Sequence, residues 1–176
     1  MKRLKLFLSN FLVYGLGGVI GKIIPLIMLP IVTRLMPDTT FFGLNDISVT
    51  VVSFVTYLGV MGMYDAMFRL FFDQDDEHFK KSICSSALIF ATVVSLIIFV
   101  LLLVGREYLA ELFFSSKKYM DLLMISAVSA LIGTTNSIVS APTRFLNQRK
   151  VFLVTNMISP LISYSIAIPL LLKGCY

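Results

Sequence analysis

Apolar residues in this 176-residue chain come in long blocks, with the polar ones gathered in short clusters between them. The clearest block, residues 82–104, has no charge anywhere in it. Its stretch LIIFVLLLV shows neither the strict alternation of a half-buried strand nor the polar face of a soluble amphipathic helix. A helix of that length reaches about 34 Å, enough to cross a hydrocarbon layer of about 30 Å. Four further blocks follow the same logic and give predicted spans at 10–33, 47–66, 82–104, 122–141 and 151–172. Each segment in lipid must satisfy its own backbone hydrogen bonds, which a helix does and a lone strand does not. A β-barrel would need alternating segments of about ten residues. The pattern therefore predicts an all-α integral membrane protein, a five-helix transmembrane bundle forming one domain over 1–176.

The clusters between the blocks read as loops. Residues 37–46, PDTTFFGLND, suggest a short outer turn, with Pro37 stopping the first helix and Asp38 or Thr39 capping the turn after it. Residues 69–81 and 141–150 read as inner loops, and 106–120 as an outer one. With a cytoplasmic N-terminus, the inner segments carry Lys2, Arg3, Lys5, Arg69, Lys80, Lys81, Arg144, Arg149 and Lys150. The outer ones carry Arg34, Arg106, Lys117, Lys118 and Lys173. The excess of basic residues inside favours N-in and C-out.

Composition strengthens the membrane reading. Hydrophobic residues make up 57% and charged residues 14%, against about 45–50% and about 25% in soluble domains. The net charge of +5 sits in clusters at predicted span ends, which suits anionic lipid headgroups and excludes a nucleic-acid groove binder. Cys84 and Cys175 have no disulfide or metal spacing and read as small hydrophobes. The opening MKRLK resembles a signal-peptide n-region, but no small-residue cleavage site closes the run behind it, so it is expected to be retained.

Candidate chemistry concentrates in the first span. GKIIPLIMLP, residues 21–30, places Pro25 and Pro30 where each removes a backbone donor, so an interruption of the helix is expected there. Gly17 and Gly21 form a small-xxx-small pair suited to close helix packing. Lys22 is the sharper signal, since a mid-membrane lysine costs about 2.5–3.5 kcal/mol on insertion scales. It either faces a polar cavity or snorkels to an interface. GLGGVIG is not a dinucleotide fingerprint, because Ile20 stands where the third glycine is required. Asp73, Asp75 and Glu77 are spaced like a calcium loop, but His78 replaces its glycine and Cys84 its final carboxylate. No catalytic triad, Walker loop or paired intramembrane carboxylate is present, so the expectation is a non-enzyme with no cofactor or metal. Arg144, in APTRFLNQRK, is either a topology anchor or a phosphate contact.

Three stretches carry a family resemblance. LPIVTRLMPDTTFFGLND, through Pro30, Thr33, Arg34, Leu35, Phe42 and Gly43, resembles the helix-one exit of polysaccharide and O-antigen flippases. LGVMGMYDAMFRLFFD resembles their helix-two end through Gly59, Gly62, Arg69, Phe71 and Phe72, and RFLNQRKVFLVTNMIS the basic loop opening helix five. The family belongs to the superfamily of multidrug and lipid-linked oligosaccharide exporters. The resemblance implies a multi-pass protein of the bacterial inner membrane that moves undecaprenyl-pyrophosphate-linked glycans outward by alternating access. Lys22, Arg34 and Arg144 would then bind the pyrophosphate of the substrate. Members have two related helical bundles, whereas this chain matches the front of one, so a truncated transporter, or one that needs other helical subunits, is expected. Two alternatives stay open: a cation-coupled drug exporter fragment of the same superfamily, and a non-transporting membrane assembly protein.

Overall fold

The computed structural model describes residues 15, 19, 22–36, 38–146 and 148–172, and every element among them is helical. Residues 22–35 form α1. It is followed by α2 (Thr39–Val60), α3 (Met63–Phe71), α4 (Glu77–Val104), α5 (Arg106–Phe114), a 3-10 turn (Lys117–Tyr119), α6 (Met120–Phe145) and α7 (Arg149–Leu172). The chain divides into two compact units, one of Met1–Phe42 with Leu146–Tyr176 and one of Gly43–Phe145.

Three stretches among the described residues are long and apolar enough to cross a membrane: Thr39–Val60, Glu77–Val104 and Lys117–Phe145. These correspond to the second, third and fourth predicted spans. Much of the first span lies outside the described residues, including Gly17 and Gly21. The fifth falls in the continuous 24-residue helix α7, which carries the apolar stretch Ile158–Leu172 among the described residues. The prolines of the first block do not break it: α1 runs unbroken through Pro25 and Pro30. Near its end, Thr33 Oγ1 donates to the carbonyls of Leu29 (2.9 Å) and Pro30 (3.1 Å).

Several predicted boundaries move. The expected turn at 37–46 is helix from Thr39 onward, with the Asp38 carboxylate accepting from the hydroxyls of Thr39 and Thr40. Those bonds hold the Asp38 carboxyl below its ordinary range. The predicted second span, 47–66, is not one helix. It stops at Val60, where Met61 (φ 44) and Gly62 (φ 73) are left-handed, and α3 starts anew. A left-handed pair cannot continue a right-handed helix, and glycine tolerates the conformation without a Cβ clash. The predicted loop 106–120 is mostly helical, as α5 and the 3-10 turn. Its apolar residues Ala110 and Phe114 are buried, so packing overrides the polar composition.

Within the unit Gly43–Phe145, the helices turn small residues inward and large ones outward. On α4, Ala87, Ala91 and Ser95 are buried at four-residue spacing, while Ile89, Val93, Ile97, Leu101 and Val104 lie exposed along another face. Water offers nothing to such a surface, whereas lipid does, and small inward residues let backbones approach. On α6 the buried stripe is Leu123, Ala127, Ala130, Thr134, Ile138 and Ala141. The buried hydroxyls are satisfied one turn back, Ser126 Oγ donating to Leu122 O at 2.8 Å and Thr134 Oγ1 to Ala130 O at 3.0 Å.

The segment between α3 and α4 is tied by local polar bonds. Asp76 caps α4, its carboxylate accepting from the backbone N–H of His78 (3.3 Å) and Phe79 (3.2 Å). A cap of this kind contributes about 1 kcal/mol. Lys80 Nζ meets Asp75 at 2.5 Å and lies 5.6 Å from the Phe71 ring centroid. The lysine beside it holds the Asp75 carboxyl below its ordinary value. The stabilisation from this pair is thus present at neutral pH and is lost only as pH falls through that lowered value.

Candidate functional site

The left-handed break after α2 shapes the unit. It bends the chain so that the last turn of α2 and the first turn of α3 face the C-terminal half of α6. Between them lies a cavity of about 490 Å³, within the range of small-molecule sites. Tyr57, Val60, Gly62, Tyr64 and Asp65 form one wall. Asn136, Ser137, Ser140 and Arg144 of α6 form the other. Asn136, Ser140 and Arg144 recur every fourth residue, which places them on one helix face.

Aromatic packing fixes the two walls against each other. Phe145, next to Arg144, has its ring centroid 5.6 Å from Tyr64, 5.1 Å from Phe68, 5.4 Å from Phe71 and 6.3 Å from Phe72. Each such pair is worth about 0.5–1.5 kcal/mol beyond its burial. Below them Met67, fully buried, packs with Ala87, Ala91, Ile138 and Ala141. Asp65 sits two residues before Met67 in the first turn of α3, so the core that seats Met67 also seats Asp65.

A second contact sets how closely α2 and α6 approach. A Cβ at Gly59 would lie 2.7 Å from Thr134 Oγ1, and one at Gly133 would lie 2.9 Å from Thr56 Oγ1. Each helix thus presents a glycine to the other's threonine. Thr56 Oγ1 also donates across to Ala130 O at 3.4 Å. The crossing lies about one turn from the cavity.

The polar groups are of two kinds. Ser137 Oγ donates to Gly133 O (2.9 Å) and Ser140 Oγ to Ser137 O (3.2 Å). Their hydrogens are therefore committed to the helix, and their remaining lone pairs are acceptors. Asp65 is also an acceptor, Arg144 offers donors only, and Asn136 and the tyrosine hydroxyls offer both.

Of the three cations expected to bind substrate, only Arg144 lines this cavity. Lys22 and Arg34 are exposed residues of α1 and belong to the other unit. Twelve residues of helix separate them by about 18 Å and about 120° of rotation, so a single diphosphate cannot bridge both. Asp65, Tyr57, Tyr64 and Asn136 escape a reading of the sequence alone. The four-residue spacing of Asn136, Ser140 and Arg144 is the one linear signal that could have found part of this wall.

The family model described as polysaccharide biosynthesis protein matches residues 7–174, nearly the whole chain. The chain belongs to the polysaccharide biosynthesis protein family. No curated protein and no solved structure matches it significantly. Membership accords with the resemblance carried by Pro30, Arg34, Gly59 and Gly62, and with three apolar helices of membrane-crossing length.

Proposed function

We propose that the chain is a flippase-type component that moves lipid-linked oligosaccharide or polysaccharide precursors, of the undecaprenyl-pyrophosphate type, across the bacterial inner membrane. The observation that carries this reading is the arginine-bearing polar cavity in an otherwise apolar helical unit of a polysaccharide biosynthesis family member. A diphosphate head cannot enter hydrocarbon unaided, and a fixed guanidinium offers it a bidentate, charge-assisted partner.

The work of the protein is transport, with no bond made or broken. Five spans with the N-terminus inside place the C-terminal ends of α2 and α6, and hence the cavity, at the cytoplasmic side. Arg144 then meets the diphosphate where it enters. Lys22 and Arg34, both on α1, serve as further phosphate contacts in this reading. Alternating access needs a second helical half to move against, so this single transmembrane domain works as one part of a larger assembly.

Deleting the chain from its host tests the reading. Surface polysaccharide is expected to fall, and lipid-linked precursor to accumulate on the cytoplasmic side. Normal surface glycan with no build-up of precursor would contradict it.

A further inference from the structure

The diphosphate accounts for Arg144 and leaves unexplained Asp65 on the opposite wall and the two serines beside Arg144. An ionised diphosphate presents acceptors only. It gains nothing from Asp65, an acceptor of like charge, or from Ser137 and Ser140, whose hydrogens are already given to α6 carbonyls. A site built for phosphate alone would not place a carboxylate in the same cavity. These acceptors call for a ligand with several donors. A sugar ring supplies them through its hydroxyls and, in an amino sugar, an amide N–H. The aromatic rings of Tyr57 and Tyr64, in the same wall as Asp65, suit the apolar C–H face of a pyranose.

We propose that this cavity recognises the first sugar attached to the diphosphate, with Asp65 as the residue that determines sugar specificity and Asn136 as its partner across the cavity. Asp65 accepts from ring hydroxyls or an N-acetyl N–H, Asn136 both accepts and donates, and Arg144 holds the adjoining phosphate. The inference rests on the reading of the chain as a carrier of lipid-linked glycans and specifies which residues read which part of that ligand.

The test uses the full chain in lipid nanodiscs and two probes, farnesyl diphosphate and farnesyl diphosphate carrying one N-acetylhexosamine. Wild type is expected to bind the sugar-bearing probe about ten-fold more tightly, a difference of about 1.4 kcal/mol. Asp65→Asn should bring that ratio close to one, while affinity for the bare diphosphate stays equal or rises, because a nearby negative charge is gone. Asn136→Ala should also lower the ratio. Arg144→Gln should weaken both probes by a similar factor and preserve the ratio. Asp65 is exposed in the first turn of α3, so Asp65→Asn leaves the buried core intact, which circular dichroism checks. A wild-type ratio near one, or an unchanged ratio in Asp65→Asn, overturns the sugar site and leaves the carrier reading standing. Failure of wild type to bind either probe overturns both.

Discussion

Arg144→Glu is expected to reduce export of surface polysaccharide by about two orders of magnitude while leaving the protein at normal abundance in the membrane. One charge-assisted hydrogen bond to a phosphate contributes about 1.5–3 kcal/mol. Its loss alone slows a step that depends on it by about ten- to a hundred-fold. Reversal adds repulsion between two anions. Arg144 is exposed in the last turn of α6, outside the buried core. Folding should therefore survive, anchored by the Phe145 ring cluster next door. Arg144→Lys should restore part of the activity, because a point charge attracts phosphate without matching its geometry. Complementation scored by surface glycan, with immunoblotting of the membrane fraction, reads the result. Full activity of Arg144→Glu would remove the cavity from the transport path.

The second large effect is on stability. Gly59→Ala should destabilise the unit by about 1–3 kcal/mol, the usual cost of overpacking a tight contact. The added methyl would stand 2.7 Å from Thr134 Oγ1 and 2.9 Å from its Cγ2. Thr134 has no exposed surface, and its hydroxyl is tied to Ala130 O, so it has nowhere to retreat. Relief must then come from pushing α2 away from α6, which also opens the cavity a turn away. Removing both offending atoms should rescue the packing. Gly59→Ala combined with Thr134→Ala is expected to cost less than the sum of the two single changes, as contacting sites couple. Unfolding midpoints of the detergent-solubilised protein measure this, and strict additivity would mean that the two helices cross with room to spare.

Much of the fold was legible in the sequence because lipid imposes a simple rule. An uncharged stretch as long as 82–104 has few alternatives to a crossing helix, and α4 ends at Val104 where the predicted span ends. The break after Val60 was harder to read. Met61 and Gly62 sit inside an apolar block whose hydropathy runs on past them, and block-averaged hydropathy is blind to a backbone that turns left-handed for two residues. The helix α5 was missed for the opposite reason. Its composition resembles a loop, and only the burial of Ala110 and Phe114 against other elements makes it helical.

The site divides along the same line. Arg144 stood out because a cation at a span edge is conspicuous in one dimension. Asp65 stood at an edge too, but its meaning depends on Asn136 and Arg144, more than 70 positions away on another helix. No local pattern reports such a pairing. The Gly59–Thr134 and Gly133–Thr56 contacts are likewise invisible until both helices are in place.

Photo-crosslinking in native membranes tests most directly whether a glycan-bearing lipid head enters this polar cleft. A diazirine placed on the first sugar of a polyprenyl-diphosphate saccharide should label peptides containing residues 57–65 and 136–144, and excess unlabelled lipid should compete the labelling away. Labelling restricted to the outward apolar face of α4, or insensitive to competitor, would show that the lipid only bathes the protein and that the cavity does not receive it.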